Sequence, residues 1–267
     1  MANDRKFGKK DKATGGSEMT KFYVILGVVA VIGIGAVGFS VGSRTLGNTA
    51  TAPIDVEGLE DVQQLVSLAQ GITTGNEDAR VTIIEFADFQ CPGCGIFAGQ
   101  VKPLIDQAYV RSGKTKFVFY DLPLPSLHPN AFLAARAGRC ADDQGYFWNY
   151  HDVLFRNQGA WAIEADPTRQ FIDYAEALGL DREVYATCLR SDAHAATVSA
   201  NMRLAQELGI NGTPTVMVNV EGENRARRLA NYDFQAISAA VEEALAQVAA
   251  GPDPAGDEAP AAPPSGG

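Results

Sequence analysis

A chain of 267 residues with 46% hydrophobic content can bury the core of one large domain or two small ones. Its net charge of −10 argues against nucleic acid as a partner. The charge is uneven: residues 1–21 carry six Lys or Arg against three Asp or Glu, which leaves −13 on the rest.

Residues 1–21, polar and basic, read as a cytoplasmic tail without a core of its own. Phe22 to Val41 is uncharged and built mainly from Val, Ile, Gly and Ala, about the 20 apolar residues that span a bilayer. Basic residues before it and an acidic domain after it place the N-terminus in the cytoplasm and the bulk of the chain outside, periplasmic or extracellular. The run is longer than a signal-peptide core, which favours an uncleaved anchor over residues 22–42. Small residues at Val41-Gly42-Ser43 keep cleavage open as the alternative. Arg44 to Val56 reads as a linker, Leu59 to Leu68 as a short amphipathic helix, and Thr73 to Ala79 as a turn.

From Val81 the chain alternates as a buried strand, reaches Cys91-Pro92-Gly93-Cys94, and passes into helical spacing at Phe97, Val101, Leu104, Ile105 and Ala108. A cysteine at a helix N-terminus lies among unpaired N–H groups at the positive end of the dipole, which favours the thiolate, the nucleophile of disulfide exchange. Pro92 suits a first-turn position that needs no donor. Cys91 is thus the candidate nucleophile and Cys94, one turn deeper, the resolving thiol. A C-x-x-C can also be half of a zinc site or a structural disulfide. Zinc would need two further ligands at short spacing, and Cys140 and Cys188 are isolated, so no metal site is expected.

Beyond Gly113, Thr115 to Tyr120 reads as a second strand, parallel to the first because a helix connects them. Asp121 to Pro129, with three prolines, is a loop. Residues 130–208 read as an all-helical insertion of four or five helices, with breaks near Gly145, Asn157–Trp161, Gly179 and Ser191. Asp181 and Ser191 are N-cap candidates there, and Gly179 a C-cap. Thr215 to Val220 is a third strand, Glu221 to Asn224 a hairpin turn, and Arg225 to Leu229 a weak edge strand. Tyr232 to Ala249 forms a last helix before a Pro- and Ala-rich tail. The expected organisation is a tail (1–21), an anchor (22–42), a linker with a short helix (43–74), an α/β domain (75–250) and a second tail (251–267).

The run Ile84-Glu-Phe-Ala-Asp-Phe-Gln-Cys-Pro-Gly-Cys94 resembles the active-site segment of DsbA-like thiol:disulfide oxidoreductases of the thioredoxin superfamily. Gly209-Ile-Asn-Gly-Thr213-Pro214-Thr-Val216 resembles the loop in which that superfamily sets a cis-proline against the active-site disulfide. The resemblance implies a thioredoxin-like fold with an inserted helical subdomain, chemistry on Cys91 and Cys94 without a cofactor, and Pro92 and Gly93 as tuners of the potential. Strongly oxidising members carry a histidine where this chain has Gly93, so a weaker oxidant is expected. It further implies substrate pairing along Thr213 beside Pro214, and a buried acid, Glu85, passing a proton to the resolving thiol. A disulfide between Cys140 and Cys188 fits an oxidising compartment and is common among members, two buried thiols being the alternative. The implied partners are thiol-bearing secreted or envelope proteins and a DsbB-like or VKOR-like membrane protein for reoxidation. The activity implied is oxidase; the same site run backwards is a reductase or isomerase, and a non-catalytic binding or chaperone module is the competing class.

Overall fold

The computed structural model of the chain describes residues 50–223 and 225–251; the stretch read as a membrane anchor and both tails lie outside them. Among the described residues no helix is long and apolar enough to cross a membrane.

Among the described residues five strands form one sheet in the order β1-β3-β2-β4-β5. These are β1 Ile72–Gly75, β2 Val81–Ala87, β3 Thr115–Asp121, β4 Thr215–Val220 and β5 Arg227–Arg228. The pair β2–β3 is parallel, with Glu85 opposite Phe119, as a helical crossover requires. The other pairs are antiparallel. β1 is an addition to the sequence reading, which placed a turn from Thr73. It is four residues long with only Ile72 buried, too short and polar to announce itself, and it exists by pairing with β3.

Around the sheet lie α1 Val62–Leu68, the active-site helix α2 over residues 92–110, six helices of the insertion, and α9 Phe234–Ala250. The insertion comprises α3 Ala131–Asp142, α4 Phe147–Arg156, α5 Gln158–Trp161, α6 Thr168–Ala177, α7 Arg182–Arg190 and α8 Ala195–Glu207. The single turn of α5 fills what the sequence presented as a break. Asp181 caps α7, its carboxylate accepting from the N–H of Glu183 and Val184, and Gly179 ends α6 at φ +86°. Ser191 instead closes α7, its hydroxyl accepting from Ala193, while His194 in the left-handed region precedes α8.

One face of the sheet carries Ile83, Phe117, Phe119, Val216 and Val218 under Phe97 and Ile105 of α2, Ile237 and Val241 of α9, and the aromatic residues of the insertion. Each large side chain removed from water here contributes about 1.5–3 kcal/mol. The other face, Ile84, Phe86, Tyr120 and Met217, is covered by Met202, Leu204 and Ala205 of α8. α1 packs through Leu65 on Ala200 of α8. Cys140 of α3 and Cys188 of α7 are joined by a disulfide with Cα atoms 5.8 Å apart. Arg139, 5% exposed, donates to Asp121 Oδ2 at 2.6 Å and to the Gln70 carbonyl at 2.5 Å, tying α3 to the end of β3.

α2 is not a continuous α-helix. π-turns at Phe97–Val101 and Asp106–Val110 alternate with α segments Pro92–Ile96 and Lys102–Ile105. Pro103 has no N–H for the Gly99 carbonyl, and the Lys102 N–H reaches five residues back to Phe97. This one-residue slip turns Lys102 inward and leaves Leu104 46% exposed, where unbroken helical spacing placed Leu104 on the buried face; Phe97, Val101, Ile105 and Ala108 pack on the core as expected.

Candidate active site

β2 ends at Ala87, and the loop from Asp88 to Gln90 delivers Cys91 as the N-cap of α2, with Pro92 in the first turn. Asp88 holds that loop. Its carboxylate accepts from the N–H of Gln90 at 2.7 Å and of Leu124 at 2.8 Å, and pairs with His128 Nδ1 at 2.7 Å. Cys91 is half-buried, Cys94 fully buried, and both are free thiols. The Cys91 sulfur lies 3.4 Å from the Thr213 carbonyl oxygen, and the Thr213–Pro214 bond is cis. A methyl group placed on Gly93 would meet Pro214 Cδ at 3.3 Å and the Cys91 sulfur at 3.7 Å. Two loops 122 residues apart in sequence therefore converge on one sulfur.

Electrostatics divide the two thiols. Cys91 is pulled down to about 5, chiefly because the Cys94 thiol donates to its sulfur; the Thr213 side chain and the N–H groups of Cys94 and Gly93 add to this against partial burial. Cys94 is pushed well above the ordinary thiol range by burial, by its bond to Cys91 and by the Glu85 and Cys91 charges. At neutral pH the outer sulfur is a thiolate and the inner one a thiol, the division of labour that exchange requires.

Glu85 shares a face with Ile83 and Ala87 on the central strand β2, under the helical layer, and is 0% exposed. Among the described residues neither carboxyl oxygen has a hydrogen-bond partner. Burial pushes it up to about 8; the Lys102 charge opposes this, and the Cys91 and Asp106 charges add to it. A carboxylic acid that keeps its proton at pH 7 and whose charge acts on Cys94 can protonate the Cys94 sulfur as it departs as a thiolate.

A family profile described as thioredoxin matches residues 67–242. The chain belongs to the thioredoxin family. It is 34% identical over 190 residues to the Na(+)/H(+) antiporter NhaA 1 of Salinispora arenicola, covering 71% of this chain and 27% of that protein. It is 28% identical over 160 residues to disulfide bond formation protein D of Bacillus subtilis, covering 60% of this chain and 71% of that one. The chain thus spans about a quarter of the length of the antiporter relatives it matches. Oxidised BdbD from Bacillus subtilis superposes with a TM-score of 0.59 at 24% identity, over 75% of this chain and 100% of that one. Wolbachia pipientis alpha-DsbA1 does so at 0.60 and 19%, over 68% and 94%. The fold is therefore the DsbA-like form of the thioredoxin fold, helical insertion included.

Four polar residues of this thioredoxin-family site have no local signature. Asp88 stands in the sequence only as one residue of the Ile84–Cys94 motif. Gln90 accepts from Asn130 N–H at 2.8 Å and donates to the Ala162 carbonyl at 2.9 Å. Gln158, on the unforeseen turn α5, donates to the carbonyls of Phe89 at 2.7 Å and Cys91 at 2.9 Å. Lys102 joins them through the slip in α2. His151, buried, bonds Asp152, and His194 bonds Asp143; His194 also stands beside the Cys140–Cys188 disulfide, whose sulfurs are committed to each other.

Proposed function

We propose that this protein is an extracytoplasmic thiol:disulfide oxidoreductase that oxidises protein thiols, held at the membrane by residues 22–42. The observation that carries the reading is the pair of sulfurs at the head of α2, one half-exposed and pulled down to about 5, the other buried and pushed up. A thiolate stabilised in the dithiol form makes the disulfide form the stronger oxidant, which supports the oxidase direction.

A substrate thiolate attacks Cys91 of the Cys91–Cys94 disulfide, and Cys94 departs, taking a proton from Glu85. A second substrate thiolate then attacks the mixed disulfide, and Cys91 leaves as the stabilised thiolate. The substrate loses two electrons and gains a disulfide; the dithiol protein holds the electrons. The Thr213 backbone beside Cys91 offers an extended substrate segment a place to pair. Clients are thiol-bearing secreted or envelope proteins, and a DsbB-like or VKOR-like membrane protein takes the electrons onward.

Mixing the oxidised protein with a reduced, unfolded thiol protein tests this. The client should lose two thiols for each oxidised protein chain added, and none with Cys91→Ser. Equal oxidation by Cys91→Ser, or none by the wild type, would leave the chaperone-like alternative in its place.

A further inference from the structure

Gln158 comes from the helical insertion, yet its side chain ends on the loop that carries Cys91. Its Nε2 donates to the Phe89 carbonyl at 2.7 Å and to the Cys91 carbonyl at 2.9 Å, so both amide hydrogens go to one loop. Its Oε1 lies 3.1 Å from the position that a methyl group on Gly95, the first residue beyond the C-x-x-C, would take. A side chain at 95 would therefore press on the carboxamide. The turn that carries Gln158 is itself firmly seated. Trp161 of α5 is 0% exposed, donates to the Leu154 carbonyl at 2.8 Å and packs on Phe171 of α6 with ring centroids 5.3 Å apart. From the other side, Gln90 donates to the carbonyl of Ala162, which closes the same turn.

Cys91 is the N-cap of α2, with φ −71° and ψ 123°. That extended conformation turns a cap side chain back over the first-turn N–H groups, here those of Gly93 and Cys94. The Cys91 carbonyl already accepts from the Gly95 N–H at 3.1 Å, and Gln158 occupies its second lone pair. With the Phe89 carbonyl held by the same amide, the peptide planes before Gln90 and after Cys91 are fixed together, and the direction of the sulfur with them. We propose that Gln158 is a positioning residue for Cys91: through this one carboxamide the insertion holds the backbone that aims the sulfur at the helix N-terminus. Loss of that grip leaves the dithiol form less stabilised and the disulfide a weaker oxidant. The proposal rests on the oxidoreductase reading of the same pair, and it places a determinant of oxidising strength outside Pro92 and Gly93.

The titratable groups around Cys91 are Cys94 of α2, Glu85 of β2 and the Asp88–His128 pair behind the loop. Tyr232, before α9, adds a hydroxyl 3.5 Å from the place of a methyl group on Gly93. Gln158 is neutral, so an uncharged replacement acts on Cys91 through geometry and hydrogen bonding, not through net charge.

The test compares the full chain with its Q158M, G95A and Y185F variants, folding being checked by tryptophan fluorescence. Two quantities are read: the pH midpoint of Cys91 alkylation, and the equilibrium of the disulfide with glutathione at pH 7. Q158M keeps the length of the side chain and removes both donors. Its midpoint should rise by roughly half a unit to one unit, and the equilibrium constant for oxidising glutathione should fall by roughly three- to tenfold. G95A crowds the carboxamide without removing it and should move both readings the same way by less. Y185F removes the 3.1 Å bond from Tyr185 to the Ala137 carbonyl, which loosens the insertion away from the loop, and should leave both readings in place. If Q158M does not fold, the shift in G95A decides. Unmoved readings in the folded variant, or an equal shift in Y185F, would overturn the positioning role alone, whereas failure of the wild type to exchange with glutathione at all would overturn the oxidoreductase reading beneath it.

Discussion

Replacing Glu85 with Gln should stabilise the oxidised protein, by an amount that grows with pH. The carboxyl is 0% exposed and both its oxygens are unpartnered, so its charged form is heavily disfavoured in the folded state. Its folded value of about 8 lies above the 4.5 of a free glutamate. A group raised on folding contributes its full stability below the unfolded value and loses it as pH climbs toward the folded one. Between 4.5 and pH 7 that loss amounts to about 3 kcal/mol, at 1.36 kcal/mol per unit. Gln is neutral throughout and about the same size, so the gain should be near zero at pH 4.5, about 3 kcal/mol at pH 7, and level above pH 8. Urea unfolding of both proteins at these pH values, followed by tryptophan fluorescence, measures it. Using the disulfide form removes the Cys91 thiolate, which otherwise adds to the upward push. A gain of equal size at pH 4.5 and pH 7, or a loss at pH 7, would refute the assignment of Glu85 as a protonated buried acid.

Alkylation of the reduced protein with iodoacetamide should follow a titration with its midpoint near 5 and modify Cys91 alone, because Cys94 is buried and held as a thiol; a midpoint near 8.5 would mean that the helix terminus does not stabilise the thiolate. Converting both Cys140 and Cys188 to Ala releases a constraint across a sequence separation of 48 and should lower stability by about 4 kcal/mol in urea unfolding, while the Cys91 midpoint stays in place. Arg139→Met leaves Asp121 as a buried charge without its 2.6 Å partner and should destabilise by roughly 3–5 kcal/mol. A loss under 1 kcal/mol would show that water replaces the guanidinium.

The centre of this fold is written locally. Alternation from Val81, a cysteine and a proline at a helix start, and Asp181 and Gly179 at helix ends are signals that short-range sterics and hydrogen bonding fix, and each element appears where its signal lies. The parallel pairing of β2 and β3 followed from the helix between them. What stayed hidden depends on distant partners. β1 has two threonines and a glycine in four residues and becomes a strand only because β3 offers an edge. The inward face of α2 is legible at Phe97, Val101, Ile105 and Ala108 and fails at Leu104, because Pro103 forces a π-turn, and that slip turns Lys102 to the buried side. Gln90 and Gln158 hold the Cys91 loop through carbonyls and N–H groups far away in sequence, which no local pattern encodes. Ser191 looked like a helix start and is a helix end, because serine hydroxyls serve both kinds of turn.

Trapping on Cys91 tests the core of the mechanism most directly. With Cys94→Ala, no resolving thiol remains: the Cys91 thiolate attacks a disulfide-bonded client, expels one client thiolate, and should stay linked to one client per protein chain, the bond mapped to Cys91 by non-reducing mass spectrometry and lost with reductant. Absence of such adducts, or adducts on a cysteine other than 91, would contradict a redox role for the thiolate at the head of α2.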